Sequence, residues 1–109
     1  MIPKRIIQTA KSKDLSPLAK ASATNLRLLH PDWDYQFFDD DAVLSFLATE
    51  FPSYEHVFHG FPFNIQRYDF FRYLAVYRFG GFYFDLDVLL WEQLDSLLSH
   101  DSVFSFEEL

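Results

Sequence analysis

Two of the three glycines in this 109-residue chain are consecutive. Gly80 and Gly81 stand between a run with helical character, Asn64 to Phe79, and the apolar run Phe82-Tyr83-Phe84-Asp85-Leu86-Asp87-Val88-Leu89-Leu90. Glycine accepts a positive φ without a Cβ clash, so a pair of them lets a helix end abruptly and hand the chain to a strand packed close beside it. The upstream sequence has the alternation that such a turn requires. Arg5 to Ala10 is a short apolar run after Pro3 and reads as a first strand. Ser16-Pro17 offers an N-cap and a proline at the first helical position, and Leu26 and Leu29 continue at helical spacing in a helix expected over 18–30, stopped by Pro31. Asp34 to Asp40 is the second strand candidate. One of Asp39, Asp40 and Asp41 then caps a helix expected over 42–50, which Phe51-Pro52 ends. The run 82–90 is expected as a strand, and 102–106 as another. Strands alternating with helices favour parallel pairing through right-handed crossovers, so the expected class is α/β with a mainly parallel sheet.

Composition excludes several functions. Half of the residues are hydrophobic and a fifth aromatic, with 14 Phe, which is incompatible with disorder. The formal charge of -7 would repel a nucleic-acid backbone, so no nucleic-acid partner is expected. Cysteine is absent, which removes disulfides, thiolate catalysis and Cys-type zinc sites together. No apolar run approaches the roughly 20 residues of a membrane helix, and Met1 to Arg5 lacks a signal-peptide pattern, so a soluble cytoplasmic domain is expected.

In a strand, Asp85 and Asp87 would point to one side and Leu86 to the other. Two carboxylates at the end of an apolar run need solvent, donors or a cation to compensate them. Mg²⁺ and Mn²⁺ suit such a pair, because these ions are commonly shared between one or two carboxylates and a substrate's phosphates. In open α/β sheets ligands bind at the carboxyl ends of the strands, where these acids would lie. On the preceding helix Asp69 and Arg72 are three apart, and Tyr73 is the i, i+4 neighbour of Asp69. Turn-forming acids and a plain helix-surface ion pair are the alternative reading of the same residues.

The stretch Ile65 to Val88 resembles the Asp-x-Asp sugar-binding region of the glycosyltransferase family that holds fungal initiating mannosyltransferases, inositol-phosphorylceramide mannosyltransferases and bacterial capsule or lipopolysaccharide sugar transferases. Arg67, Asp69, Arg72, Tyr73, Gly80, Gly81, Tyr83, Asp85 and Asp87 carry the resemblance. It implies the nucleotide-binding, N-terminal half of a GT-A, Rossmann-like fold over residues 1–109, cut short at its C-terminus. It also implies a retaining hexosyltransferase whose donor is a UDP- or GDP-sugar and whose acceptor is a glycan or a lipid-linked acceptor. By that resemblance Asp85 and Asp87 are the catalytic pair: Asp87 would bind Mn²⁺ or Mg²⁺ on the diphosphate, and Asp85 would contact the ribose and reach the metal. Asp69 and Arg72 would hold sugar hydroxyls, with Tyr73, Tyr83, Gln8 and Thr9 as further substrate-binding positions. The family's first strand usually reads Ile-His-Gln-Thr-Trp, whereas this chain has Ile6, Ile7, Gln8, Thr9 and Ala10 and so lacks the aromatic near the nucleobase.

Two other readings stand beside it. Residues 82–90 also resemble the strand and Asp-x-Asp of haloacid-dehalogenase-type phosphotransferases, in which Asp85 would be a nucleophile; alternatively the chain is a non-catalytic sugar-nucleotide-binding or interaction module. His30, His56, His59 and His100 lack metal-ligand spacing and read as surface or loop residues, while Trp33 and Trp91 read as core or edge anchors. The Asp39-Asp40-Asp41 cluster fits either helix capping or ribose and base contact. The apolar content points to self-association, and peripheral contact with a membrane is compatible with it.

Overall fold

The computed structural model describes residues 1–100. Its frame is a three-stranded sheet in the order β2-β1-β3. Strands β1 (Arg5–Thr9) and β2 (Asp34–Phe38) are joined by helix α1 (Pro17–Leu29), and the chain returns to β3 (Phe82–Tyr83) through α2 (Asp40–Glu50), a 3₁₀ turn at Pro52–Tyr54, α3 (Glu55–Gly60) and α4 (Asn64–Phe79). Both pairings of β1 are parallel, with Ile6 opposite Tyr35 and Phe82, and Ile7 opposite Gln36 and Tyr83. The chain is therefore of the α/β class with a parallel sheet, as its sequence indicates. A further 3₁₀ turn lies at Asp95–Leu97, and the strand expected over 102–106 falls outside the described residues.

The helices α1 and α2 begin where the sequence supplies a cap. The Ser16 hydroxyl accepts from the Ala19 N–H at 3.2 Å ahead of Pro17, and the Asp39 carboxylate accepts from the Ala42 N–H at 2.8 Å. Such caps replace one of the four unpaired N–H groups of a helix start and contribute about 1 kcal/mol. The capping reading of the acidic cluster thus holds for Asp39. Helix α3 and the 3₁₀ turn before it were not anticipated, because six residues are too few to show a helical period.

The alternation of β1 feeds two cores. Ile7 packs with Val43, Phe46, Leu47, Phe58, Phe71 and Ala75 under α2, α3 and α4. Ile6 turns the other way and packs with Leu26 of α1, Trp33, Phe82, Leu94 and Leu98. Fully burying such a side chain stabilises by about 1.5–3 kcal/mol, and the central strand does so on both faces. Arg5 ties the start of this strand to its neighbours. Its Nε lies 2.8 Å from Asp34 Oδ2, and its Nη1 donates to the Phe79 carbonyl at the end of α4.

Three expectations are corrected. The strand expected over 82–90 pairs only at Phe82 and Tyr83; beyond Phe84 the chain turns at Leu86 and Asp87 and leaves the sheet. His30 is buried, not on the surface, because its ring bridges the α1 terminus and Leu94. Trp91 anchors nothing and is 97% exposed, whereas Trp33 is in the core and donates from Nε1 to Asp95 at 3.0 Å.

Gly80 and Gly81 have φ of 69° and 98°. A Cβ on Gly81 would lie 2.5 Å from the Arg5 carbonyl oxygen, and one on Gly80 would lie 2.7 Å from Pro3 Cγ. Both positions thus require glycine twice over, for backbone conformation and for contact with the start of β1. Gly81→Ala should lose at least about 1–2 kcal/mol from the left-handed backbone alone, with the clash adding to it. Gly60, whose Cβ position is open, is the control and should be neutral or gain up to about 1 kcal/mol as alanine. Urea unfolding of the two variants checks this, and an unchanged midpoint for Gly81→Ala would contradict it.

Candidate functional site

The carboxyl ends of β1 and β3 open into a cleft of about 540 Å³. One wall is the loop from β1 to α1, with Ala10, Lys11, Ser12, Asp14 and Leu15, and it continues into Ser16 and Ala19 at the start of α1. The other wall is the turn Asp85-Leu86-Asp87. The two acids reach the same cleft as expected, but through a turn rather than through strand alternation. The turn is closed by the Val88 N–H, which donates to the Asp85 carbonyl at 3.3 Å, and both carboxylates are exposed.

Tyr83, one residue pair earlier, joins this turn to α4. Arg72 lies with its guanidinium 5.5 Å from the Tyr83 ring centre and 5.4 Å from that of Tyr73, and its Nη2 is 3.3 Å from Asp69 Oδ1. Burial first and the neighbouring Asp85 carboxylate second push the Tyr83 phenol up to about 12, against the opposing pull of Arg72. Tyr68, also on α4, is likewise pushed up to about 12, by burial and then by its 2.7 Å hydrogen bond to Asp40. Both phenols are therefore neutral donors at physiological pH. Asp69, Arg72 and Tyr73 of α4, Tyr83 of β3 and Asp85 of the following turn thus form one group.

The family described as a glycosyltransferase sugar-binding region containing a DXD motif matches residues 17–104. This chain belongs to that glycosyltransferase family. Among its relatives, inositol phosphoceramide mannosyltransferase 2 of Schizosaccharomyces pombe is 39% identical over 98 residues, covering 90% of this chain and 28% of the relative. Inositol phosphoceramide mannosyltransferase 3 of the same yeast is 36% identical over 99 residues, with 91% and 28% covered. The initiation-specific alpha-1,6-mannosyltransferase of Saccharomyces cerevisiae is 36% identical over 69 residues, or 61% of this chain and 14% of that protein. The chain thus spans less than a third of the length of these mannosyltransferases. No solved structure matches it significantly.

Of the positions expected to bind donor, only Asp85 and Asp87 line the cleft of this glycosyltransferase domain; Asp69, Arg72, Tyr73, Tyr83, Gln8 and Thr9 do not. Gln8 is fully buried, its Oε1 accepting from the Tyr35 hydroxyl at 2.8 Å and its Nε2 facing Ser22 and the Asp85 carbonyl. Thr9 donates to the Phe38 carbonyl at 2.7 Å. Tyr73 is exposed beside Arg72. Lys11, Ser12 and Ser16 were missed, because a short polar loop carries no motif until its place at a strand end is known.

The pair Asp85 and Asp87 suits a hard divalent cation in one specific way. Among the described residues no third His, Cys, Asp or Glu joins them to make a protein cage. Two exposed carboxylates on an open cleft fit an ion that completes its shell with water and phosphate oxygens, as Mg²⁺ does.

The two raised phenols give a pH signature. Between pH 10 and about 12 the unfolded chain has released protons that folded Tyr68 and Tyr83 retain, so stability falls as pH rises through this window. Tyr83→Phe should make that fall shallower and remove one phenol from the late part of an ultraviolet phenolate titration. Melting curves from pH 9 to about 12 that are identical to those of the unaltered protein would contradict this.

Proposed function

We propose that this domain binds the nucleotide-diphosphate sugar for a hexosyltransferase that passes the sugar, with retention at the anomeric carbon, to a glycan or lipid-linked acceptor. The observation that carries the reading is the cleft itself, in which the N-terminus of α1 faces an acidic pair at the carboxyl ends of parallel strands. A diphosphate suits both walls. Lys11 and the positive end of the 13-residue helix α1 attract its charge from one side. On the other side Asp85 and Asp87 would hold Mn²⁺ or Mg²⁺, which supplies charge neutralisation to a departing nucleoside diphosphate. Arg72, oriented by two tyrosine rings and Asp69, would hold sugar hydroxyls together with Asp69, and the neutral Tyr83 phenol supplies a donor nearby.

The relatives' names support a mannosyl donor and an inositol phosphoceramide acceptor as the first candidates for this chain. Contact with a lipid-bearing surface would be peripheral in this region: among the described residues no helix is long and apolar enough to cross a membrane. Trp91 and Leu89, exposed just past the acidic turn, are the side chains suited to such contact.

Calorimetry with UDP- and GDP-sugars, with and without Mn²⁺, tests the reading. Asp87→Asn should abolish metal-dependent donor binding while leaving the melting temperature equal or slightly higher, because it removes a like-charge neighbour of Asp85. Asp69→Asn should spare nucleoside-diphosphate binding and reduce discrimination by the sugar. Undiminished metal-dependent binding in Asp87→Asn would refute the assignment, and phosphate trapped on Asp85 would favour phosphotransfer.

Ala10 lines the cleft at the position where the resembling family carries an aromatic residue. Ala10→Trp should tighten nucleotide binding by roughly 1–3 kcal/mol through base stacking. Unchanged affinity in a folded Ala10→Trp protein would place the base elsewhere.

A further inference from the structure

The acidic turn lies beyond the reach of the sheet. The Phe84 N–H, donating to the Ile7 carbonyl at 3.1 Å, is the last backbone bond from this limb to β1. From Asp85 to Leu94 side chains take over. Gln8 Nε2 donates to the Asp85 carbonyl at 3.4 Å, and the Ser22 hydroxyl donates to the Val88 carbonyl at 2.6 Å. Asn25 then engages Leu90 in both directions, its Nδ2 donating to the carbonyl at 3.0 Å and its Oδ1 accepting from the N–H at 2.7 Å. His30 Nε2 accepts from the Leu94 N–H at 2.9 Å.

These contacts are one network. Ser22 and Asn25 are three apart on α1 and so share a face. Ser22 also accepts from Gln8 Nε2 at 3.2 Å, and Gln8 in turn accepts from the Tyr35 hydroxyl. A relay thus runs from β2 through β1 and α1 to both stems of the Asp85–Asp87 turn, and Gln8 and Ser22 within it are fully buried. A buried network with every member bonded fixes a single geometry, because any departure leaves a polar group unpaired. Two exposed carboxylates on a turn outside the sheet repel each other, and the network opposes their moving apart.

We propose that Gln8, Ser22 and Asn25 are positioning residues that set the separation of Asp85 and Asp87 for a divalent cation, without touching cation or donor. The proposal rests on the reading of that pair as the cation site. Outer partners of this kind typically change metal affinity by about 10–100-fold when removed. Asn25 is the most exposed of the three and offers the cleanest variant.

Mn²⁺ is titrated into the chain in the presence of UDP or of GDP, free ion being followed by electron paramagnetic resonance, alongside amide hydrogen exchange and melting temperature. Asn25→Ala should accelerate exchange at Leu90 and weaken Mn²⁺ about tenfold or more, with nucleotide binding restored at saturating Mn²⁺. Ser22→Ala should do the same through Val88. Asn25→Asp keeps the acceptor for the Leu90 N–H and loses the donor, so it should fall between the parent and Asn25→Ala and serves if the alanine variant is poorly folded. A folded Asn25→Ala protein with faster Leu90 exchange and unchanged Mn²⁺ affinity would overturn the positioning role. Unchanged affinity in Asp87→Asn as well would show that the cation reading had failed first.

Discussion

The fold depends on the contact between the Gly80-Gly81 turn and the first residues of β1. Because the backbone of Gly81 lies against the Arg5 carbonyl and Gly80 against Pro3, α4 reverses into β3 within two residues. Helix and strand then run back alongside each other from this point. A helix advances about 1.5 Å per residue and a strand about 3.3 Å, so residues roughly eight to eleven before the turn come level with those three to five after it. That difference in rise is why Asp69 and Arg72 come level with Tyr83, and it gives the long and short arms of the motif a geometric origin.

The same contact fixes the position of the cleft. With β3 beside the central strand in parallel register, the residues after β3 emerge next to the loop after β1. Arg5 supports this arrangement at the opposite end of the sheet, where it joins β2 and the last carbonyl of α4 to β1. A guanidinium at a helix C-terminus also meets the negative end of the helix dipole.

Much of this was legible because the sequence punctuates its own elements. Ser16-Pro17, the Asp39-Asp40-Asp41 cluster, Phe51-Pro52 and Gly80-Gly81 mark ends through local chemistry, and the structure has an element end at each of them. The end of β3 was not legible, since alternating apolar and acidic residues fit a strand and also fit a limb that packs Phe84 and Leu90 against α1. The burial of His30 and Gln8 was not legible for a related reason. Their burial is decided by partners as far away in sequence as Leu94 and Asp85, and no local pattern records such contacts. The place of Asp85 and Asp87 at the cleft was legible from residue type and strand-end position, although they reach it through a turn and not through strand alternation.

The early departure of β3 from the sheet bears on how copies of this domain meet one another. A free strand edge offers unpaired N–H and C=O groups to another chain, and short edges are a common protection against such pairing. On the β3 side the described sheet ends after two residues, and the continuing backbone turns its hydrogen-bonding groups inward to side chains of α1. The side of the sheet nearest the acidic turn therefore presents little template for strand addition. A contact made here by side chains alone could form and dissolve without rebuilding the sheet.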